Sequence, residues 1–221
     1  MGELVVVEKL SRAVQHDVDH TLSLLLPHIG STDSVLDIGC GEAYVTAGIA
    51  RRAPDTWGAD IVDLRKAPVP SFVSYDGVTL DLPDHRFDVV VLAFVLHHVP
   101  NELKPKLVAE ARRVCRRTLL VIEDTPRTAF DRWTSNRHGE TYRKKIGSTA
   151  GFGFYTQREW EEFFAREQFE VLESRRLSRF CRDPFQPYAR SFFVTRPLGL
   201  AEVNDHVRAA PQPAEQRVQG D

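Results

Sequence analysis

The sequence predicts an α/β fold: a seven-stranded, mostly parallel sheet with an antiparallel last strand and helices on both faces. Three observations predict it. Val35-Leu36-Asp37-Ile38 is a short apolar run with one acid that enters Gly39-Cys40-Gly41 and then a helical pattern. Phe87-Asp88-Val89-Val90-Val91-Leu92-Ala93-Phe94 is a nearly continuous apolar run, as expected of a central strand buried on both faces. Apolar runs of strand length alternate with helical spacing between residues 33 and 124, the order produced by parallel strands joined through crossovers.

The elements follow in turn. Residues 8–29 place Leu10, Val14, Val18, Leu22, Leu25 and Leu26 at helical spacing, with Pro27 near the end, which predicts a leading helix that packs on the core or closes over a ligand. The first strand is expected at 33–38. In the turn after it, Gly39 can take positive φ and Gly41 lets a ligand approach the main chain. A helix then begins near Ala43 and ends before Pro54, and a second strand at 56–61 carries Asp60. Residues 62–70 hold Pro68 and Pro70, which leaves little room for a helix, so the second crossover is expected as a turn. A third strand at 71–75 leads to Asp76-Gly77. Beyond the fourth strand stand Leu96-His97-His98-Val99-Pro100. Pro105 is tolerable in the first turn of the next helix, whose apolar face is Leu107, Val108, Ala111, Val114 and Cys115. The fifth strand is expected at 118–122, ending in Glu123-Asp124.

Residues 126–150 break this rhythm. Arg127, Arg132, Arg137, Arg143, Lys144 and Lys145 outnumber Asp131 and Glu140, with Phe130, Trp133 and Tyr142 among them. The stretch is too long for a plain connection and is expected to be a helical lid inserted after strand five. Thr156 and Glu159 have capping-box spacing at the start of another helix, which turns Trp160, Phe163 and Phe164 to the core. Residues 169–177 and 188–195 supply the closing strands. The expected division is an N-terminal helix at 1–30, a main domain at 31–196 with its insertion at 126–150, and a polar, proline-bearing, disordered tail at 197–221.

Composition narrows the function. At 221 residues the chain holds one domain with a full core, and its net charge of -2 draws it to neither nucleic acid nor membrane. Cys40, Cys115 and Cys181 show no metal spacing, which suits a reducing, cytoplasmic interior. No run approaches the ~20 apolar residues of a membrane span, and no basic-then-apolar leader is present. The expected partner is a small-molecule substrate, not nucleic acid. Nothing in the sequence sets an oligomeric state.

The Gly-x-Gly turn separates two cofactor classes. A dinucleotide site needs a small residue at the place Tyr44 occupies, and Tyr44 is too bulky to let helix pack on strand. Asp60 stands near the ~20-residue spacing of an acid that takes ribose hydroxyls. The acidic-x-Gly-x-Gly form resembles motif I of the class I S-adenosylmethionine-dependent methyltransferases, whose sheet is Rossmann-like. Asp76-Gly77, Leu82-Pro83, Phe87-Asp88-Val89-Val90, Leu96-His97-His98-Val99 and Glu110-Ala111-Arg112-Arg113-Val114 extend the resemblance over residues 33–124. They point to its small-molecule branch, which includes ubiquinone/menaquinone-type and secondary-metabolite enzymes. The resemblance implies S-adenosyl-L-methionine as cofactor. Asp37, Gly39 and Gly41 would line its methionine end, with Cys40 a small filler in the same turn. Asp60 would bind the ribose hydroxyls, Ile61 would pack on adenine, and Asp76 with Gly77 would lie near the adenine amino group. The chain departs from the pattern at Ala43, where glycine is usual, and in the shortened segment after Asp60.

Methyl transfer from a sulfonium is an in-line displacement, so the protein mainly aligns the acceptor and excludes water. A base is needed where the acceptor must lose a proton. Ligands of such sheets sit outside the carboxyl ends of the strands, which nominates His98 first, then His97, Glu123 and Asp124. The alternatives are histidines packed as structure and carboxylates that hold arginines; no metal ligands are assigned. Oxygen or carbon is the expected acceptor atom, because Ala93-Phe94-Val95-Leu96 replaces the Asn/Asp-Pro-Pro-aromatic element common among nitrogen-methylating enzymes. The competing functions are a cofactor-binding regulatory subunit without turnover and an RNA-directed methyltransferase.

Overall fold

A computed structural model describes residues 10–133, 135–137, 153–177 and 189–199. Seven strands form one sheet in the order β3-β2-β1-β4-β5-β7-β6. They are β1 (Val35–Ile38), β2 (Thr56–Asp60), β3 (Ser71–Ser74), β4 (Phe87–Ala93), β5 (Cys115–Asp124), β6 (Phe169–Leu177) and β7 (Arg190–Pro197). β1 to β5 pair in parallel, and β7 runs antiparallel to both β5 and β6. The strand order reverses beside β1, where β2 and β4 flank it and their crossovers lead apart. That divergence opens the crevice in which ligands of such sheets sit.

The core follows from the pleat. Alternate residues of the central strands face opposite sides. Leu36, Ile38, Val90, Leu92, Leu119 and Val121 pack under α3 (Lys104–Val114) and α4 (Gln157–Arg166), with Trp160, Phe163 and Phe164. Val35, Val89, Val91, Leu120 and Ile122 pack under α1 (Arg12–Leu25) and α2 (Tyr44–Ala50), with Leu22, Leu25 and Ile49. Local signals set the helix ends. The Ser11 hydroxyl accepts from Val14 N–H at the start of α1. Thr156 and Glu159 form a full capping box on α4. Pro105 lies in the first turn of α3, where a missing N–H costs nothing.

The structure adjusts several expected boundaries. The leading helix ends at Leu25 and tightens into a 3-10 turn, Leu26–His28, that takes up Pro27. β5 starts at Cys115, directly on the end of α3, and reaches Asp124. The ladder to β7 lengthens it, pairing Glu123 with Ser191 and Asp124 with Arg190. The last strand runs Arg190–Pro197, later than the expected 188–195. No helix intervenes between β2 and β3, as the two prolines predict. The Lys66 and Ala67 N–H groups both donate to Glu42 O, which ties this short connection to the turn after β1. A groove of about 640 Å³ stays open between α1, α2 and residues 67–70.

Of the expected lid, 129–133 and 135–137 are helical, and Phe130 and Trp133 are exposed and stacked with ring centroids 6.0 Å apart. Residues 138–150, with most of the lid, and 200–221, with most of the expected tail, lie outside the described residues, as does Cys181. Among the described residues no helix is long and apolar enough to cross a membrane.

Candidate active site

Two clusters meet at the carboxyl ends of the strands. The first is the turn after β1. Gly39, Gly41 and Ala43 all have positive φ, at 74°, 53° and 63°. Gly39 must be glycine on two counts: its φ, and a β-carbon that would lie 2.4 Å from Val95 Cγ2. The Gly39 and Cys40 N–H groups donate to Ala59 O at 2.7 and 3.1 Å, which locks the turn onto β2.

Two carboxylates lie in this cluster. Asp37, 3% exposed, accepts a 2.6 Å hydrogen bond from the Thr46 hydroxyl. Asp60, also 3% exposed, accepts from the Gly41 and Ile61 N–H groups, each at 2.7 Å. Burial pushes the Asp37 carboxyl up to about 7; the Thr46 hydrogen bond opposes this and the charge of Asp60 adds to it. Burial also raises Asp60, against the pull of its backbone donors. Burial, then the charges of Asp37 and Asp60, raises the Cys40 thiol far above its usual range, so it stays protonated. Cys40 Sγ packs on Gly58, where a β-carbon would come within 3.0 Å.

The outer rim of this cluster is apolar. Ile61 and Val62 are exposed. Gly77, at φ 91°, brings its α-carbon so near Ile61 that an added β-carbon would sit 3.5 Å from Ile61 Cγ2. Asp76 is exposed and accepts the Val78 and Thr79 N–H groups at 2.8 and 2.6 Å, which pulls its pKa down and shapes the turn holding Gly77. Thus Asp37, Gly39, Cys40, Gly41, Asp60, Ile61, Asp76 and Gly77 all stand along the ends of β1, β2 and β3.

The second cluster follows β4. Phe94 takes a left-handed φ of 63° and the chain turns sharply. Glu123, wholly buried, holds that turn: Oε1 accepts the Val95 and Leu96 N–H groups at 3.0 and 2.6 Å, and Oε2 lies 2.6 Å from His97 Nδ1. Burial works to lower the His97 pKa, but the charge and hydrogen bond of Glu123 outweigh it and the net shift is upward. The His97 ring is 4.1 Å from that of His98 and stacks on Phe154 at 5.2 Å. His98 is half-buried. Asp124, buried, pairs with Arg190 Nε at 3.0 Å; Arg190 also reaches Asp17 of α1 at 3.3 Å and covers the Phe94 ring at 4.1 Å. The four residues nominated as base therefore gather in one place. Three of them, His97, Glu123 and Asp124, are buried and committed to partners.

Sequence reasoning missed Arg190, Lys104, Thr46 and Gly153. An arginine opening the apolar run Ser191-Phe192-Phe193-Val194 was a usable signal for a buried, paired charge. Lys104 carried none, because a lysine beside Pro105 reads as an exposed first turn. Among the described residues no group of three or more His, Cys, Asp and Glu is arranged to hold a metal.

Comparison with known proteins gives a consistent picture. The model of a family described as "Methyltransferase domain" matches residues 10–174. A protein of Aspergillus luteorubrus named "Probable methyltransferase ltbC" is 32% identical over 114 residues, 42% of this chain and 40% of that protein. The match thus spans about two fifths of the length of the curated relatives. Among solved structures, the magnesium protoporphyrin IX methyltransferase of Synechocystis PCC 6803 with bound S-adenosylhomocysteine is similar with a TM-score of 0.57 and 17% identity, over 86% of this chain and 89% of that one. The 1,6-didemethyltoxoflavin-N1-methyltransferase of Burkholderia thailandensis, solved with 1,6-didemethyltoxoflavin and S-adenosylhomocysteine, is similar with a TM-score of 0.61 and 17% identity, over 84% and 81%. At such identities the structural likeness concerns the fold.

Proposed function

This chain belongs to the methyltransferase domain family, with the class I S-adenosylmethionine-dependent fold, and we propose that it transfers a methyl group to a small-molecule acceptor at oxygen or carbon. One observation carries the reading. Asp37 and Asp60 are two nearly buried carboxylates at the ends of adjacent strands, and among the described residues neither forms an ion pair.

Such a pair fits S-adenosylmethionine. The donor brings an ammonium and a sulfonium to offset the charges and a ribose diol for the carboxylate at the end of β2. The exposed Ile61 and Val62 beside Gly77 offer an apolar wall to its adenine. Asp37, with the Gly39-Cys40-Gly41 turn, takes the methionine end. Asp60 takes the ribose hydroxyls; its two oxygens together offer about four lone-pair sites, which the backbone N–H groups they accept do not fill. Asp76 and Gly77 face the adenine edge. The cofactor supplies an activated methyl group, and the residues after β4 align the acceptor and exclude water.

A proton must leave when the acceptor is a hydroxyl or an activated carbon acid. His98 is the proposed base, because it follows β4 at the carboxyl ends of the strands and is half-buried, within reach of an acceptor in the crevice. The Glu123 charge biases His97 toward its protonated form, which makes it a poor proton acceptor and a firm support for His98. The small-molecule acceptor draws support from the compounds named for the two structural neighbours. One neighbour is named for transfer to nitrogen. The preference for oxygen or carbon therefore rests on Phe94 and Val95, which put no amide or carboxylate where an amine would need one.

The test is calorimetry with S-adenosylhomocysteine and NADH, then a screen of small metabolites with isotopically labelled S-adenosylmethionine. Binding of S-adenosylhomocysteine alone and label in a small molecule are expected. NADH binding in its place, or label confined to RNA or protein, would refute the reading.

A further inference from the structure

Gly153 closes a clamp that the scheme above does not use. Its N–H donates to His97 O at 3.0 Å, and its carbonyl accepts from Lys104 Nζ at 2.6 Å. Lys104, in the first turn of α3, has no exposed surface and gives a second hydrogen bond to Asn101 Oδ1 at 2.5 Å. Its ammonium lies 4.5 Å from the Tyr155 ring centroid and 5.7 Å from that of Trp160. The acceptors are thus two neutral oxygens and two aromatic faces. A β-carbon on Gly153 would lie 2.1 Å from Lys104 Nζ and 2.3 Å from Asn101 Oδ1, so glycine alone lets the ammonium reach the main chain. The next residue, Phe154, is buried and stacks on His97 at an interplanar angle of 20°.

Taking an ammonium out of water is costly, and here burial draws the Lys104 pKa down to about 8. A methionine would fill the same space without that cost. What methionine lacks is a donor that fixes a carbonyl in direction. The ammonium therefore contributes geometry: it holds the Gly153 peptide, the Gly153 peptide holds the His97 carbonyl, and Phe154 is laid flat on the His97 ring.

We propose that Lys104 is a positioning residue for the acceptor side of the site: by holding the Gly153 carbonyl it seats Phe154 against His97, and through His97 it sets where His98 stands. The proposal deepens the functional reading and rests on its placement of His98 beside the acceptor. Lys104 has its hydrogen-bond partners, Asn101 and Gly153, outside the proposed cofactor cluster. Its influence should therefore fall on the acceptor and spare S-adenosylmethionine.

Two variants test it from opposite sides. Lys104→Met removes the donor at nearly constant volume, and Gly153→Ala drives the ammonium away from the main chain. S-adenosylhomocysteine is titrated into the parent and both variants by calorimetry. Steady-state transfer of labelled methyl into a small-metabolite extract that the parent labels is then measured against S-adenosylmethionine and against extract dilution. Both variants are expected to bind S-adenosylhomocysteine within twofold of the parent and to keep its KM for S-adenosylmethionine. They should need at least fivefold more extract for half-maximal rate. Parental extract dependence in folded Lys104→Met protein would overturn the proposal. So would equal loss on the cofactor and acceptor sides, or failure of both variants to fold, each of which would make Lys104 a stabilising contact only. A parent that binds no S-adenosylhomocysteine and labels nothing would instead sink the functional reading itself.

Discussion

His97 Nδ1 lies 2.6 Å from Glu123 Oε2, with both side chains shut away from solvent. The other oxygen of Glu123 accepts two backbone N–H groups of the turn that carries His97. One carboxylate therefore shapes the loop after β4 and biases the ring it presents toward the protonated form.

Removing that carboxylate should be expensive. Breaking a buried pair leaves an unpaired group and typically costs ~3–5 kcal/mol. Glu123→Ala should lose about that much stability in urea titrations. Because the folded His97 pKa is raised, its contribution is complete below the unfolded pKa of ~6.5 and is lost as pH rises through the folded value. Glu123→Gln should reverse that pH dependence, because burial alone lowers the His97 pKa and stability is then lost as pH falls. A Glu123→Gln protein with the parental pH-stability curve would contradict the assignment.

Asp37 works in the opposite sense. Its folded pKa of about 7 exceeds the usual 3.8, so between these values the folded chain holds a proton that the unfolded chain has released. Stability without cofactor should fall as pH rises through that window, by at most ~1.4 kcal/mol per pH unit, and level off above it. An ammonium beside Asp37 favours the carboxylate. S-adenosylhomocysteine binding below pH 7 should therefore release a proton and tighten as pH rises. Calorimetry in buffers of different ionisation enthalpy counts that proton, and Asp37→Asn should abolish it. An unchanged proton count in Asp37→Asn would remove Asp37 from the methionine end.

Asp60→Ala should weaken S-adenosylhomocysteine by tenfold or more. Hydrogen bonds to a charged group contribute ~1.5–3 kcal/mol each, and two hydroxyls lose their acceptor. The variant should still fold, as a cooperative thermal melt would show. Parental affinity would exclude Asp60 as the ribose ligand.

Gly39→Ala tests the close approach of the two turns. The left-handed φ costs an L side chain ~1–2 kcal/mol, and overpacking against Val95 adds ~1–3 kcal/mol. A fall in Tm is expected, with partial recovery when Val95→Ala is added to make room. No recovery in the double variant would show that the backbone angle alone sets the cost.

General-base help is worth ~10²–10⁴-fold. His98→Ala should slow the chemical step by that order in single-turnover experiments and leave S-adenosylhomocysteine affinity unchanged. His97→Ala should instead lower stability, because it strips Glu123 of its partner. A full single-turnover rate in His98→Ala would show that alignment alone suffices.

The geometry of the proposed cofactor half was legible because its signals are local. Val35 to Ala50 spells strand, turn and helix within one short stretch, and the φ values of Gly39 and Gly41 follow from having no side chain. Asp60 was nominated by spacing along the chain, and the absence of a crossover helix between β2 and β3 was read from two prolines. The seven-stranded, mostly parallel sheet follows from the family resemblance, and the central place of β4 from its buried pattern. The acceptor half was less legible. His97, His98, Glu123 and Asp124 could be placed at strand ends, but not divided between chemistry and support.

That division depends on partners far apart in sequence. His97 meets Glu123 across 26 residues, Asp124 meets Arg190 across 66, and Lys104 meets Gly153 across 49. The first two pairings exist only once β5 lies between β4 and β7, bringing the ends of three strands together, and the third only once the loop before α4 folds over the start of α3. Periodicity records which face a residue takes; it does not record which charge on another strand will share that burial. The sequence by itself determined the sheet, the glycine turn and the two acids beside it, since backbone freedom and apolar spacing are written residue by residue. The tertiary structure decided which titratable groups are neutralised by a neighbour and which are left for a ligand, because burial makes a charge depend on whatever the folded chain sets against it.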